Sequence, residues 1–396
     1  MNRAGGISRW THAFAVASAL GMVGLQTTYL LDWSIRAIGL FGLLGAVLPM
    51  TFGMAYLLLP AYVGTTLATP RLPGVHLVVS YAGAAVLVAG QLTTLPRPLV
   101  TVGATLWSLG VACFLAALGA TIVPVLRADP SVVIRGRDHP QRSTRVATAV
   151  VPLAILYLAV GTIVLLTRMT SVQVVPGTTI PGIVHFYAVG FAALLIISLG
   201  ARLLVGFFHV VPPRPLTWGA LGGGVVAPDL IAGSLWTRPL FQMGAGVLAF
   251  GMLCYLGMIA IVAVRTDRRR IGLVGVLAGA FAGAGGVLVA ATVVIDGGAA
   301  WLIEAYVPLV LDGFLLLTII GYAYEFFPIG TGQFTGASER VGLATIGILG
   351  FGVVLRAVGP LLGAPVVGDV GATLGILGTS VFAYVLTRRL AGIHAS

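Results

Sequence analysis

The chain is a succession of apolar runs, each long enough to cross a hydrocarbon layer as a helix, and no other feature limits its fold as strongly. A crossing helix needs about 20 predominantly apolar residues. Such runs fall near 10–31, 36–60, 72–94, 99–126, 146–168, 181–211, 216–236, 240–264, 271–295, 301–327, 341–360 and 366–387. Hydrophobic residues make up 58% of the chain and charged residues 8%, whereas soluble domains carry about 25% charged residues. The expected fold class is all-α, a polytopic membrane protein of about twelve transmembrane helices.

The net charge of +11 comes from arginine alone, since the chain has no lysine. In a soluble protein this balance would suggest nucleic acid; here the arginines sort by side of the membrane. With the N-terminus inside, sixteen of the 22 arginines fall at cytoplasmic ends and loops, only Arg36, Arg97, Arg168, Arg238 and Arg356 fall outside, and Arg202 lies within a helix. The positive-inside rule then places both termini in the cytoplasm, and the basic patches read as topology and contact with membrane lipids rather than nucleic acid. The Ala15–Ala19 patterns follow Arg9 too closely to leave an apolar region before a cleavage site, so the first run reads as a retained helix. Cys113 and Cys254 sit singly inside predicted helices, which excludes a disulfide framework and a spaced metal pair.

Basic breaks at Arg127–Arg145 and Arg265–Arg270 divide the runs into three units of four helices, 1–135, 136–267 and 268–396. The second helices of these units resemble one another. Each has a glycine in its outer third (Gly42, Gly190, Gly313) and a later one (Gly53, Gly200, Gly321), the kind of self-similarity that marks a repeat. Glycines four apart, Gly219 and Gly223, Gly279 and Gly283, Gly371 and Gly375, suit close helix approach in lipid. The glycine runs at 222–224 and 283–286 lack the strand and the Lys-Ser/Thr of a phosphate loop, so they too read as packing.

The segment from Arg36 to Leu77 carries the most specific motif: a helix ending MTFGMAYLLLP, a loop with Pro70-Arg71-Leu72, then His76-Leu77. It resembles the second and third helices of the heme–copper oxidase catalytic subunit, in the branch of the cbb3-type oxidases and nitric-oxide reductases, with Gly53, Tyr56, Pro60, Arg71 and His76 matching. The resemblance implies twelve helices in three arcs of four. It also implies six histidine ligands, for a low-spin heme, an active-site heme and copper. Those are missing: Ile38 stands where a heme ligand belongs, about eleven residues before Pro49, and the seventh and tenth helices carry no histidine. The expectation is therefore the scaffold without an oxygen-reducing binuclear center. A shorter stretch, Val184–Leu195, is similar to the histidine-led, glycine-containing helices of the NnrS family, which implies heme and copper.

Among the histidines, His139 and His394 fall in a cytoplasmic loop and tail. His12, His76 and His209 share the inner depth, where two imidazoles on facing helices could hold a heme b, or where each could hydrogen-bond headgroups or helix-end carbonyls. His185 opens the sixth helix on the outer side, with Met169 and Met243 as soft partners for heme or copper; a lone interfacial imidazole is the alternative. Ionisable residues inside a membrane usually face a cavity or a partner. Asp229, read as mid-helix beside Pro228, has no evident partner and is the expected proton or cation site. Asp312 lies in the outer half of the tenth helix, and Arg202 with Glu325 forms an expected ion pair between the sixth and tenth. Tyr322 and Tyr324 suit an aromatic belt.

Three functions follow as expectations. One is a divergent heme–copper-oxidase-like protein holding one heme for electron transfer or sensing, with respiratory or redox subunits as partners. Another is a metal-free carrier or channel lined by Asp229, Asp312 and Arg202. The last is a non-catalytic subunit of a respiratory complex.

Overall fold

The computed structural model describes residues 3–132, 142–170, 179–232, 238–268, 270–296, 300–330 and 334–395. These form helices α1 (Arg3–Leu30), α2 (35–62), α3 (Leu72–Leu92), α4 (Arg97–Ala128), α5 (Arg142–Met169) and α6 (180–208). They continue as α7 (Arg214–Ala232), α8 (Arg238–Arg265), α9 (Ile271–Asp296), α10 (300–326), α11 (Glu339–Leu362) and α12 (Pro365–Ala395). Among the described residues, eleven of these helices are long and apolar enough to cross a membrane. The exception is α7, which contains Pro228 and Asp229. The chain is thus an all-helical, multi-pass membrane protein, because in lipid a helix satisfies its own backbone.

Burial separates two kinds of helix. In α2, α6 and α10, 83%, 72% and 67% of the crossing window is buried, against 33–50% in the other spans. These three occupy the interior; the others are buried over half of the window or less. Packing runs continuously through α11, α12, α1 and α2, then α3 to α6, then α7 to α10, so each run ends on a buried helix.

Each buried helix also contains a π-helical stretch: Gly42–Val47 in α2, Phe186–Ala193 in α6 and Pro308–Leu316 in α10. Leu48 donates to the Leu43 carbonyl, Leu194 to Val189 and Leu317 to Asp312, five residues back in each case. Such a stretch adds a residue to the turn, shifts the phase of the side chains and loosens nearby carbonyls. In α2 the loosened carbonyls are taken up by neighbors, Gly45 by the Tyr81 hydroxyl at 2.9 Å and Ala46 by Ser18. Gly42, Gly190 and Gly313 all fall inside these stretches.

Small residues set the helix spacing, as expected from the sequence. The hairpins α3–α4, α7–α8 and α11–α12 close where Gly83 faces Gly103 and Trp107, Gly223 faces Gly251, and Gly352 faces Gly371. The α9–α10 contact is also close. A Cβ added to Gly321 would stand 2.6 Å from the Gly272 carbonyl oxygen and the Val276 nitrogen, both backbone. Gly321→Ala is expected to cost about 1–3 kcal/mol as an overpacked contact. Gly347, which has nothing within 4 Å of that position, tolerates alanine; thermal melts of the two purified variants check the contrast.

Candidate functional site

The most demanding group in the interior is Asp312, which lies in the π-helical stretch of α10 and is fully buried. A carboxylate removed from water persists only when paired and hydrogen-bonded. Gln26 of α1 donates from Nε2 to Oδ1 at 2.7 Å, and Tyr29, one turn on, donates its hydroxyl to Oδ2 at 2.6 Å. Arg356 of α11 places Nη1 3.3 Å from Oδ2. The guanidinium also lies over the Tyr29 ring, 4.5 Å from its centroid, a favorable cation–π geometry.

The positions follow from local sequence. Gln26 and Tyr29, three apart, share one face of α1. Gly375 of α12 leaves the room that the Gln26 amide occupies, and Gly371, one turn earlier, does the same beside the Arg356 backbone and Cγ. The two glycines of one four-apart pair thus make room for both helices that serve Asp312.

Beside the ion pair opens a cavity of about 550 Å³, within the ~300–1,000 Å³ range of small-molecule sites. Arg356, Tyr29, Trp33 and Ile38 line it, and Asp32, Glu304 and Asp369 bring exposed carboxylates to it. Asp32 has a φ of 50° just beyond α1. That left-handed conformation costs most L-residues about 1–2 kcal/mol, and Asp is among the few that tolerate it, so a charge is held where glycine would be the relaxed choice. Arg356 is 3% exposed; its guanidinium nitrogens are buried and make no hydrogen bond to the protein, Nη1 standing in ion-pair contact with Asp312.

Arg356, expected outside the membrane, is instead buried within α11, four residues before the proline that precedes its end. Its position inside the apolar run 341–360 was the available signal. Asp229 is the reverse. It is exposed in the last turn of α7, where the Tyr157 hydroxyl donates to it at 2.8 Å, so it is neither mid-helix nor without a partner.

The expected Arg202–Glu325 ion pair does not form. Glu325 pairs with Arg270 at 3.2 Å, while Arg202 donates to Thr148 at 2.9 Å and lies 3.9 Å from the centroid of the Tyr62 ring.

The histidines do not converge. His76 is fully buried, bonded through Nδ1 to the Tyr56 hydroxyl at 3.0 Å and packed against the rings of Phe14, Phe52 and Phe114. Trp10 and Phe14, one turn apart on α1, face Gly74 and His76 of α3, whereas His12 between them turns away onto Phe327. His209 is exposed in the left-handed position that ends α6, its N–H bonded to the Val205 carbonyl. Its conformation is that of a helix cap. His185 binds the Pro181 carbonyl through Nδ1 at 2.7 Å and lines a small apolar cavity between α2, α6 and α10. Neither Met169 nor Met243 lines that cavity; Met243 is 59% exposed on the perimeter. Among the described residues no three His, Cys, Asp or Glu side chains form a metal-sized group. This placement fits neither a bis-histidine heme nor a His-Met copper site. His139 and the side chain of His394 lie outside the described residues.

Comparison with family models and with curated proteins finds no match to this chain.

Removing one member of a buried ion pair strands the other. Arg356→Leu is expected to destabilise the protein by about 3–5 kcal/mol, and adding Asp312→Leu to recover most of that loss, as read by thermal melts of the single and double variants. His209→Gly, which relaxes a left-handed residue, is expected to be neutral or to stabilise by about 1 kcal/mol.

Proposed function

We propose that this chain is a membrane carrier for a small polar solute, which it receives in the cavity beside Asp312 and Arg356. The observation that carries the reading is a doubly buried ion pair, set in a π-helical stretch of an interior helix, whose arginine also lines a cavity of small-molecule size. Packed cores do not need such a pair, since apolar residues of similar volume serve equally well or better. Charges retained inside a membrane usually mark a path or a binding site.

The scaffold belongs to the same proposal: a twelve-helix frame of heme–copper oxidase type, built from three four-helix units and without its metal chemistry. Its support is the motif around Gly53, Tyr56, Pro60, Arg71 and His76, together with interior helices that recur as the second of each unit and each carry a π-helical stretch. Ile38, where the resemblance places a heme ligand, lines the polar cavity instead. The arginine bias puts both termini in the cytoplasm. In that orientation the cavity, which gathers the α1–α2 and α11–α12 connections, opens to the outside. Of the residues expected to line a path, Asp312 stays in this reading, whereas exposed Asp229 and ring-stacked Arg202 lie apart from it.

The test is uptake of radiolabelled amino acids, sugars and organic cations by vesicles containing the purified protein. At least one solute is expected to enter above protein-free vesicles, with the rate falling fivefold or more in Glu304→Gln/Asp369→Asn. No uptake of any solute would overturn the carrier. An absorption spectrum of the same preparation decides the scaffold question, because a Soret band lost on replacing His76 or His185 would restore the heme reading.

A further inference from the structure

Away from the Asp312 cavity, an opening of about 310 Å³ lies between α2, α4 and α5. We infer that it holds one acyl chain of an anionic phospholipid from the cytoplasmic leaflet. Its walls are mostly apolar, with Leu59 from α2, Leu115, Leu118 and Leu126 from α4, and Val151 and Ile155 from α5. Val123 and Pro152, also in the lining, are exposed, so the groove opens sideways, where a membrane protein meets lipid. From Leu115 to Leu126 the α4 wall runs about 16 Å at the helical rise, half of the ~30 Å hydrocarbon core. With the termini in the cytoplasm, that stretch covers the inner leaflet alone, the reach of one lipid chain. Gly119 lines the same wall, and a Cβ added to it meets nothing within 4 Å. The space in front of it would be filled by a larger side chain.

Charge at the cytoplasmic end of the groove selects the headgroup. Arg202 reaches two of the lining residues from α6, donating from Nη1 to Thr148 at 2.9 Å and lying 3.9 Å from the centroid of the Tyr62 ring. It is half-buried in a membrane-spanning helix, and among the described residues it forms no ion pair. A cation at such a depth ordinarily has a charged partner or extends to the interface. Two further arginines stand at the mouth. Arg127 is exposed and directly follows Leu126, and Arg145 lies three residues before Thr148 on the same face of α5. The carboxylate nearest them in sequence, Asp129, accepts from the Ser131 N–H and hydroxyl. Basic pockets between membrane helices on the cytoplasmic side suit anionic headgroups. A zwitterionic lipid would bring a cation of its own to these arginines, and a free phosphate would leave the apolar groove unfilled. Chain and phosphate on one molecule satisfy both.

The test is lipid retention by the full-length protein in detergent, read by native mass spectrometry with palmitoyl-oleoyl phosphatidylglycerol and the matching phosphatidylcholine. Phosphatidylglycerol is expected to be retained about fivefold better, which corresponds to the worth of one interfacial arginine. Gly119→Leu is expected to cut its retention about fivefold without lowering the melting temperature, because the new side chain enters open space and leucine favors helix. Arg202→Gln is expected to abolish the preference for phosphatidylglycerol, whereas Arg202→Lys, which keeps the charge, preserves it. Equal retention of the two lipids by the unaltered protein would overturn the inference in favor of an ordinary lipid-facing surface. Undiminished retention in Gly119→Leu would overturn it by placing the lipid elsewhere. A preference that survives Arg202→Gln, or is lost equally in Arg202→Lys, would remove the charge argument and overturn it too. Displacement of the lipid by free glycerol phosphate would overturn it in favor of a soluble phosphate site. None of these outcomes depends on whether the Asp312 cavity carries a solute.

Discussion

The burial of one carboxylate sets the terms for much of this molecule. Asp312 can sit inside a membrane-spanning helix only because three side chains from two other helices reach it: Gln26, Tyr29 and Arg356. Those contacts tie α10 to α1 and α11, and the glycines of α12 that make room for Gln26 and Arg356 bring in a fourth helix. The first, tenth, eleventh and twelfth helices are thus joined through one polar cluster, although the sequence separates its partners by as many as 286 residues. In a medium that offers no hydrogen bonds, each buried polar atom without a partner is costly, and this cluster leaves Gln26 Oε1 and the Arg356 nitrogens outside its hydrogen bonds.

Glycine makes that clustering attainable. Helices in lipid gain no hydrophobic drive from meeting each other, so contact depends on backbone proximity and dispersion. Facing glycines at Gly223 and Gly251, Gly272 and Gly321, and Gly352 and Gly371 let the backbones approach. The interior helices bear the heaviest packing, and they are the ones that depart from regular α geometry. Each π-helical stretch rephases the side chains beyond it, and in α10 this stretch carries Asp312.

The same demand for partners applies to the imidazoles. A bis-histidine heme needs two imidazoles aimed across one gap, and here they face different neighbors, with His76 Nε2 buried and without a hydrogen-bond partner. His76 is enclosed by aromatic rings, His12 turns to Phe327 and His209 caps a helix. The wall that includes Ile38 belongs to a cavity edged by carboxylates, with buried Arg356 among its lining residues.

The number of helices, their bounds to within a few residues in most cases, the glycine pairs and the singular glycines at 42, 190 and 313 were legible in the sequence. Lipid allows so few backbone arrangements that apolar length settles eleven of the twelve, α7 being the one that falls short. Asp312 was legible as an intramembrane acid for the same reason. Its partners were not, because which face of a helix looks at which neighbor depends on phase and tilt, and neither is written in apolar runs. Arg356 therefore passed for a flanking charge, Asp229 for a buried one, and Arg202 was matched to the wrong acid. A partnership between residues on different helices is decided by three-dimensional packing, since a charge selects its partner by distance and burial and not by order along the chain.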